Sequence, residues 1–287
     1  MLSVRLSNGQ VVRVHRIPGG GVPWLFLHGL GCASSCDYPA VVSCPALVGK
    51  SAFLVDLLGY GFSDKPDAFA YTVGAQAEIV AELVQHLGLT AFQIYGHSMG
   101  GSIAIAAASL LQNRVRNLVL SEPNLDPGGG VFSRSIAAQA EAKYVRTGHE
   151  RDIREAAAAG NLVWAGSMRV ASALAVHRGA TSLVRGSTPT WREILQGLKV
   201  PRTVLFGEYS LPDNDVAILP QLGVRIGIVA QAGHSMAWDN PGALAEAIAN
   251  PASAPEKRRS VPRKVRPSGP IRLPGLASAS KTPVRRR

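Results

Sequence analysis

The stretch Phe92-Gln93-Ile94-Tyr95-Gly96-His97-Ser98-Met99-Gly100-Gly101 decides the fold. Phe92 to Tyr95 has strand character and runs into a glycine. From Ser98 to Leu111 the chain is rich in Ala, Ile and Leu and reads as a helix. Gly96-x-Ser98-x-Gly100 therefore sits where a strand turns sharply into a helix, the context that separates a nucleophile-bearing turn from a chance match. Side chains at positions 96 and 100 would obstruct the approach of strand and helix. The turn holds Ser98 in a strained conformation with its hydroxyl exposed.

Working outward, similar short apolar runs recur, each next to a turn signal. Val4–Leu6 and Val11–His15 flank Ser7-Asn8-Gly9, a hairpin turn. Trp24–Leu27 ends at His28-Gly29, Ala52–Val55 at Asp56, and Leu118–Leu120 at Ser121-Glu122-Pro123. Thr203–Phe206 ends at Gly207, and Val224–Val229 precedes Gly233-His234. Continuous apolar runs suit strands buried on both faces, as in a parallel sheet. Helical spacing over Val73–Leu87, and a proline-initiated helix over Pro241–Ala249, alternate with them. The pattern predicts a doubly wound α/β sheet. Between about residues 126 and 198 no strand is expected; Ser135–Tyr144, Arg151–Ala159 and Gly166–Val176 read as helices inserted between two sheet strands. There is no internal repeat.

The net charge of +11 points first to nucleic acid or an anionic membrane, but its distribution argues otherwise. Residues 251–287 hold eleven Lys and Arg against Glu256 alone, so +10 of the +11 lies there. That tail has seven prolines and no Phe, Tyr or Trp, and is read as disordered and basic. Weak electrostatic binding is its only implied interaction; no specific nucleic-acid partner is expected. Steep salt dependence of DNA binding, lost on deleting the tail, would mark a tail-driven binder instead. Cys32, Cys36 and Cys44 are an odd set with no histidine near Cys36 or Cys44, read as free thiols rather than a zinc site or disulfide framework. The N-terminus lacks the apolar core of a signal peptide, and the most apolar stretch, Ile103–Leu111, is too short to span a bilayer. The expectation is a cytoplasmic protein with no membrane span, no metal and no organic cofactor, acting on a small molecule.

A serine hydroxyl needs a base. His234, in Ala232-Gly233-His234-Ser235, follows the last strand and so reaches the same carboxyl edge of the sheet as Ser98. His15, His86, His149 and His177 lie elsewhere in the pattern, and the side chain of His97 is expected to point away. The acid that orients the base is open at this level: Glu122 stands at a strand end, Asp213 and Asp215 follow Phe206, and Asp126 is a further option. Oxyanion donors are expected at the backbone N–H of Met99 and of Leu30, the latter in the glycine-flanked loop His28-Gly29-Leu30-Gly31. His28 is read as holding that loop through a side-chain hydrogen bond.

Together, His28-Gly29, the segment Asp56-Leu-Leu-Gly-Tyr-Gly-Phe-Ser63-Asp-Lys-Pro66, the turn at Ser98 and Gly233-His234 resemble the α/β-hydrolase superfamily, over about residues 1–250. The Asp56–Pro66 segment is similar to the esterase, lipase, haloperoxidase and proline-iminopeptidase branch. The resemblance implies an eight-stranded, mostly parallel sheet with helices on both faces and an antiparallel first hairpin. The core would be residues 1–125 and 199–250, with residues 126–198 a helical cap. In this branch the acid is usually the Asp of a Gly-x-x-Asp segment after the seventh strand; here that segment is Gly207-Glu208-Tyr209-Ser210. Some members, many haloalkane dehalogenases among them, instead carry a Glu after the sixth strand, which Glu122 matches. Those dehalogenases and epoxide hydrolases use an Asp nucleophile where this chain has Ser98.

The function expected is serine ester hydrolysis through an acyl-enzyme on Ser98 with His234 as base. Amide or C–C hydrolysis, acyl transfer and cofactor-free perhydrolysis use the same groups, and a low-turnover receptor-like protein is a further alternative. Trp164, Met168 and Trp191 are candidates to line an apolar pocket.

Overall fold

The computed structural model describes residues 1–250. The basic tail, residues 251–287, lies outside the described residues, and so does its reading as disordered.

Eight strands form one sheet: β1 (Leu2–Arg5), β2 (Val11–Ile17), β3 (Gly20–Leu27), β4 (Lys50–Asp56), β5 (Phe92–His97), β6 (Val115–Ser121), β7 (Arg202–Gly207) and β8 (Arg225–Val229). Their spatial order is β1-β2-β4-β3-β5-β6-β7-β8. β1 and β2 pair antiparallel, as do β2 and β4; every later pairing is parallel. The reversal of strand order around β3 opens a crevice at the carboxyl edge, where ligands bind in open α/β sheets.

Alternation along each buried strand builds two cores. Leu25, Leu27, Phe53, Val55, Ile94, Leu118, Leu120, Val204 and Phe206 face one layer. Trp24, Phe26, Leu54, Tyr95, Val119 and Leu205 face the other. Successive side chains of a strand point to opposite faces, so both faces can be covered only if nearly every residue is apolar. The first layer is filled by α1 (Val73–His86) and α2 (Met99–Leu111). The Thr72 side chain caps α1 by accepting from the Ala75 N–H. The second layer is covered from the chain around Tyr38–Leu47 and from the helix Pro241–Ala249, which the Asn240 side chain caps by accepting from the Ala243 N–H.

Between β6 and β7 the described chain is helical: α3 (Val131–Ala137), α4 (His149–Ala158), α5 (Leu162–Arg169), α6 (Ala173–Arg185) and α7 (Trp191–Gly197). The last described helix, α8, is Pro241–Ala249. Two expectations change here. Gly166–Val176 is not one helix: it breaks after Arg169, and Ser172 starts α6 by accepting from the Ala175 N–H. Ser135–Tyr144 likewise breaks after Ala137, with a single turn at Glu141–Lys143 leading into a π-helical turn at Tyr144–Gly148 before α4. Helix α7 was not expected, although Thr190 and Glu193 form a reciprocal capping box that the spacing announces.

Candidate active site

Ser98 sits between the last residue of β5 and the first of α2 with φ 51° and ψ −118°. Such a positive φ costs a non-glycine residue about 1–3 kcal/mol and persists only where its surroundings enforce it. Here the Ser98 N–H donates to the Ser121 carbonyl (2.9 Å) while its own carbonyl accepts from Gly101 (2.9 Å). A Cβ on Gly100 would collide with the Leu27 and His28 carbonyls, so glycine lets the start of α2 press against the end of β3.

The loop after β3 is held from within. His28 is fully buried; its Nδ1–H donates to the Gly29 carbonyl (2.8 Å) and its Nε2 accepts from the Leu57 N–H (3.1 Å). Burial lowers its pKa against the pull of Asp56, so the ring is the neutral form that both contacts require. The Cys32 N–H closes the turn on the Gly29 carbonyl (3.2 Å). A Cβ built on Gly29 would lie 3.5 Å from that of Ser98, so this loop faces the serine. Among the described residues, the N–H groups of Leu30 and Met99 donate to no protein acceptor.

Glu122, one residue past β6, is a second non-glycine residue at positive φ, 40°. Its N–H bonds the Leu205 carbonyl (3.0 Å), which fixes its place at the sheet edge. Its Oε1 accepts from the Gly207 N–H (3.0 Å), and its Oε2 lies 2.5 Å from His234 Nδ1. The Glu122 side chain is 13% exposed and that of His234 51%. Burial pushes the Glu122 carboxyl up. Hydrogen bonding to His234 and its charge, with the Ser210 side chain and the Gly207 N–H, overcome this and hold it at about 2. The Gly207–Ser210 segment thus surrounds this carboxylate with donors.

The structure brings Ser98, Met99, Leu30, His234 and Glu122 to one edge, but not the other acids. Asp213 is exposed, and its Oδ1 accepts from the Asp215 N–H (2.8 Å). Its carboxylate is thus engaged within its own loop, while His234 Nδ1 faces Glu122. Asp126 and Asp215 are both engaged by Arg192. His86 pairs with Glu82, His149 with Tyr144 and the Met168 carbonyl, and His177 with the Gln139 carbonyl.

His97 also departs from expectation. Its ring does not point away from the site but lies 4.7 Å from that of His234, with Nδ1 3.0 Å from Ser121 Oγ. Burial, then the charge of His234, lowers it to about 3, so it stays neutral beneath the neighbouring imidazole. Ser121 Oγ is in turn 2.7 Å from the Tyr95 hydroxyl. The alternation of β5 alone, with Tyr95 facing the second core, was the signal that His97 shares that side.

Helices α5 and α6 lie over the loop after β3. The Trp164 indole N–H donates to the Leu30 carbonyl (3.0 Å), Met168 packs on Gly31, and the Tyr60 hydroxyl donates to the Ala175 carbonyl (3.0 Å). Trp191, by contrast, is buried at the start of α7, on a groove beside α1 and α6. Cys32, Cys36 and Cys44 are all free, and among the described residues no group of three His, Cys, Asp or Glu could hold a metal ion. Nor is any described helix long and apolar enough to cross a membrane.

The family described as alpha/beta hydrolase fold matches residues 23–197, more than half of the chain. The chain belongs to this family. As an α/β hydrolase it is similar to haloalkane dehalogenase 2 of Mycobacterium bovis, 34% identical over 110 residues, 38% of this chain and 37% of that protein. It is similar also to 2-hydroxymuconate semialdehyde hydrolase of Pseudomonas putida, 33% identical over 115 residues, 40% of this chain and 41% of the other. The chain spans about two fifths of the length of the curated relatives it matches. Among solved structures, an esterase from Exiguobacterium antarcticum superposes with a TM-score of 0.72 at 20% identity, covering 86% of this chain and 97% of that one. That likeness is one of fold.

Proposed function

We propose that this α/β hydrolase is a serine hydrolase that cleaves an ester or related carbonyl substrate through an acyl-enzyme on Ser98. The observation that carries the proposal is the 2.5 Å contact between Glu122 and His234 Nδ1 beside a strained serine. A carboxylate on Nδ1 keeps the proton there and leaves Nε2 as a base.

In this reading His234 Nε2 takes the Ser98 proton as Oγ attacks the carbonyl carbon. The Leu30 and Met99 N–H groups receive the oxyanion; each such donor is worth roughly 10²–10³ in rate. The tetrahedral intermediate collapses, the acyl–oxygen bond breaks, and the departing alcohol takes the proton from His234. Water then attacks the acyl carbon, giving its proton to His234, and Ser98 leaves with that proton as the acid product is released. Glu122 stays ionised throughout and stabilises the imidazolium. Residues 126–198 act as a cap that shapes the substrate space.

The similarity to a haloalkane dehalogenase does not carry that reaction here, because the turn presents an alcohol at Ser98, suited to acyl transfer. A panel of ester, lactone and amide substrates tests the proposal. Steady turnover of one class, lost in Ser98→Ala, is expected. A burst followed by a stall would favour the receptor-like alternative, and no reaction with any class would count against hydrolysis.

A further inference from the structure

We propose that Trp164 is a positioning residue for the oxyanion hole, so that the seating of the helical segment is transmitted to the reaction centre; this rests on the acyl-transfer reading above. The Leu30 N–H belongs to the Gly29–Leu30 peptide, whose carbonyl is held twice, by the Cys32 N–H and by His28 Nδ1. The next peptide, Leu30–Gly31, is held through its carbonyl by the Trp164 indole N–H at 3.0 Å. Gly31 sits at φ +72° and has no Cβ to resist rotation of that peptide. Trp164 therefore supplies the restraint that the backbone itself lacks on this side of Leu30.

The donor comes from α5, in the segment between β6 and β7, not from the sheet. A Cβ on Gly31 would sit 2.9 Å from the indole nitrogen and against the Met168 sulfur, so α5 and the loop meet without a gap. Phe132 of α3 packs against the indole with ring centroids 5.1 Å apart and the planes tilted by 41°. On α6, a Cβ at Gly179 would lie 3.1 Å from Leu30 Cδ1 and 3.2 Å from Met99 Sδ. Both oxyanion-donor residues thus sit under the helical segment, and its displacement would break the Trp164 bond before disturbing Ser98 or His234.

The test is kinetic. Trp164→Phe keeps an aromatic ring against Phe132 and removes the donor. A neutral hydrogen bond of this kind implies that kcat and the rate of fluorophosphonate labelling both fall about tenfold while KM stays nearly unchanged. Phe132→Leu perturbs the same packing with the indole N–H in place and should keep kcat near wild type. Should Trp164→Phe not fold, β-(3-benzothienyl)alanine placed at position 164 keeps the bicyclic shape without the N–H. A melting temperature that drops while kcat holds would overturn the proposal, as would equal kcat losses in the Trp164 and Phe132 variants. Ser98→Ala run in parallel separates the two readings. If it still labels, the acyl-transfer reading fails; if it does not and Trp164→Phe labels at the wild-type rate, only the role of Trp164 fails.

Discussion

Replacing Glu122 with Gln removes one charge and reverses one hydrogen bond. The carboxyl is held at about 2 against an ordinary 4.5, which corresponds to roughly 3 kcal/mol of preference for the charged form at about 1.4 kcal/mol per tenfold. Part of that comes from the Gly207 N–H and Ser210; the larger part is His234. The same contact stabilises the imidazolium formed during attack; a hydrogen bond between charged groups of this kind contributes about 1.5–3 kcal/mol, or roughly ten- to a hundredfold in rate. A Gln amide could also present an N–H to Nδ1, driving the proton onto Nε2 and removing the base. The two effects together predict a fall in kcat of about 10²–10⁴, with KM little changed. The assay is kcat on a cleaved ester, or the labelling rate with a fluorophosphonate, alongside Asp213→Asn. Asp213 is exposed and spent on the Asp215 N–H, so its variant should stay within about twofold of wild type. Retention of more than about a fifth of activity by Glu122→Gln, or an equal loss in Asp213→Asn, would refute the reasoning.

Two further expectations concern pH. Because the folded state holds Glu122 below its unfolded value, the stability it contributes is present above about 4.5 and lost as pH falls towards 2; acid titration followed by circular dichroism should show a shallower loss for Glu122→Gln across that window. Asp37 behaves in the opposite sense: burial raises its carboxyl to about 6, despite the hydrogen bond from the Trp238 indole, so its charge weakens the fold as pH rises from about 4 through 6. Asp37→Asn should therefore gain up to about 2 kcal/mol relative to wild type between pH 4.5 and 8 in urea melts, and an unchanged difference at the two pH values would contradict this.

The sheet was legible because burial on both faces demands uninterrupted apolar runs, and Trp24–Leu27, Ala52–Val55 and Leu118–Leu120 satisfy that demand without polar interruption. The convergence of Ser98, His234 and the loop at Leu30 was legible for a related reason: strand ends of a parallel sheet meet at one edge. Which carboxylate lies against His234 was not, because both Glu122 and Asp213 follow strands, and only the tertiary course of the β7 loop puts Glu122 there. Ser210 stands where the resemblance places an acid, and in the fold it and the Gly207 N–H hydrogen-bond the Glu122 carboxylate instead. The helices between β6 and β7 were misjudged at their ends, where short caps such as Ser172 outweigh apolar periodicity. Alternation along β5 gives the side His97 faces but not its partner His234, and the contact of Trp164 with Leu30 has no local signature, since each contact joins residues more than a hundred positions apart.

The central claim is that Ser98 is the nucleophile. Its most direct test is mass spectrometry of peptides from the wild-type protein treated with a fluorophosphonate. The account predicts one adduct, on the peptide carrying Ser98, formed slowly in Glu122→Gln and absent from Ser98→Ala. An adduct on another residue, or undiminished labelling of Ser98→Ala, would contradict it.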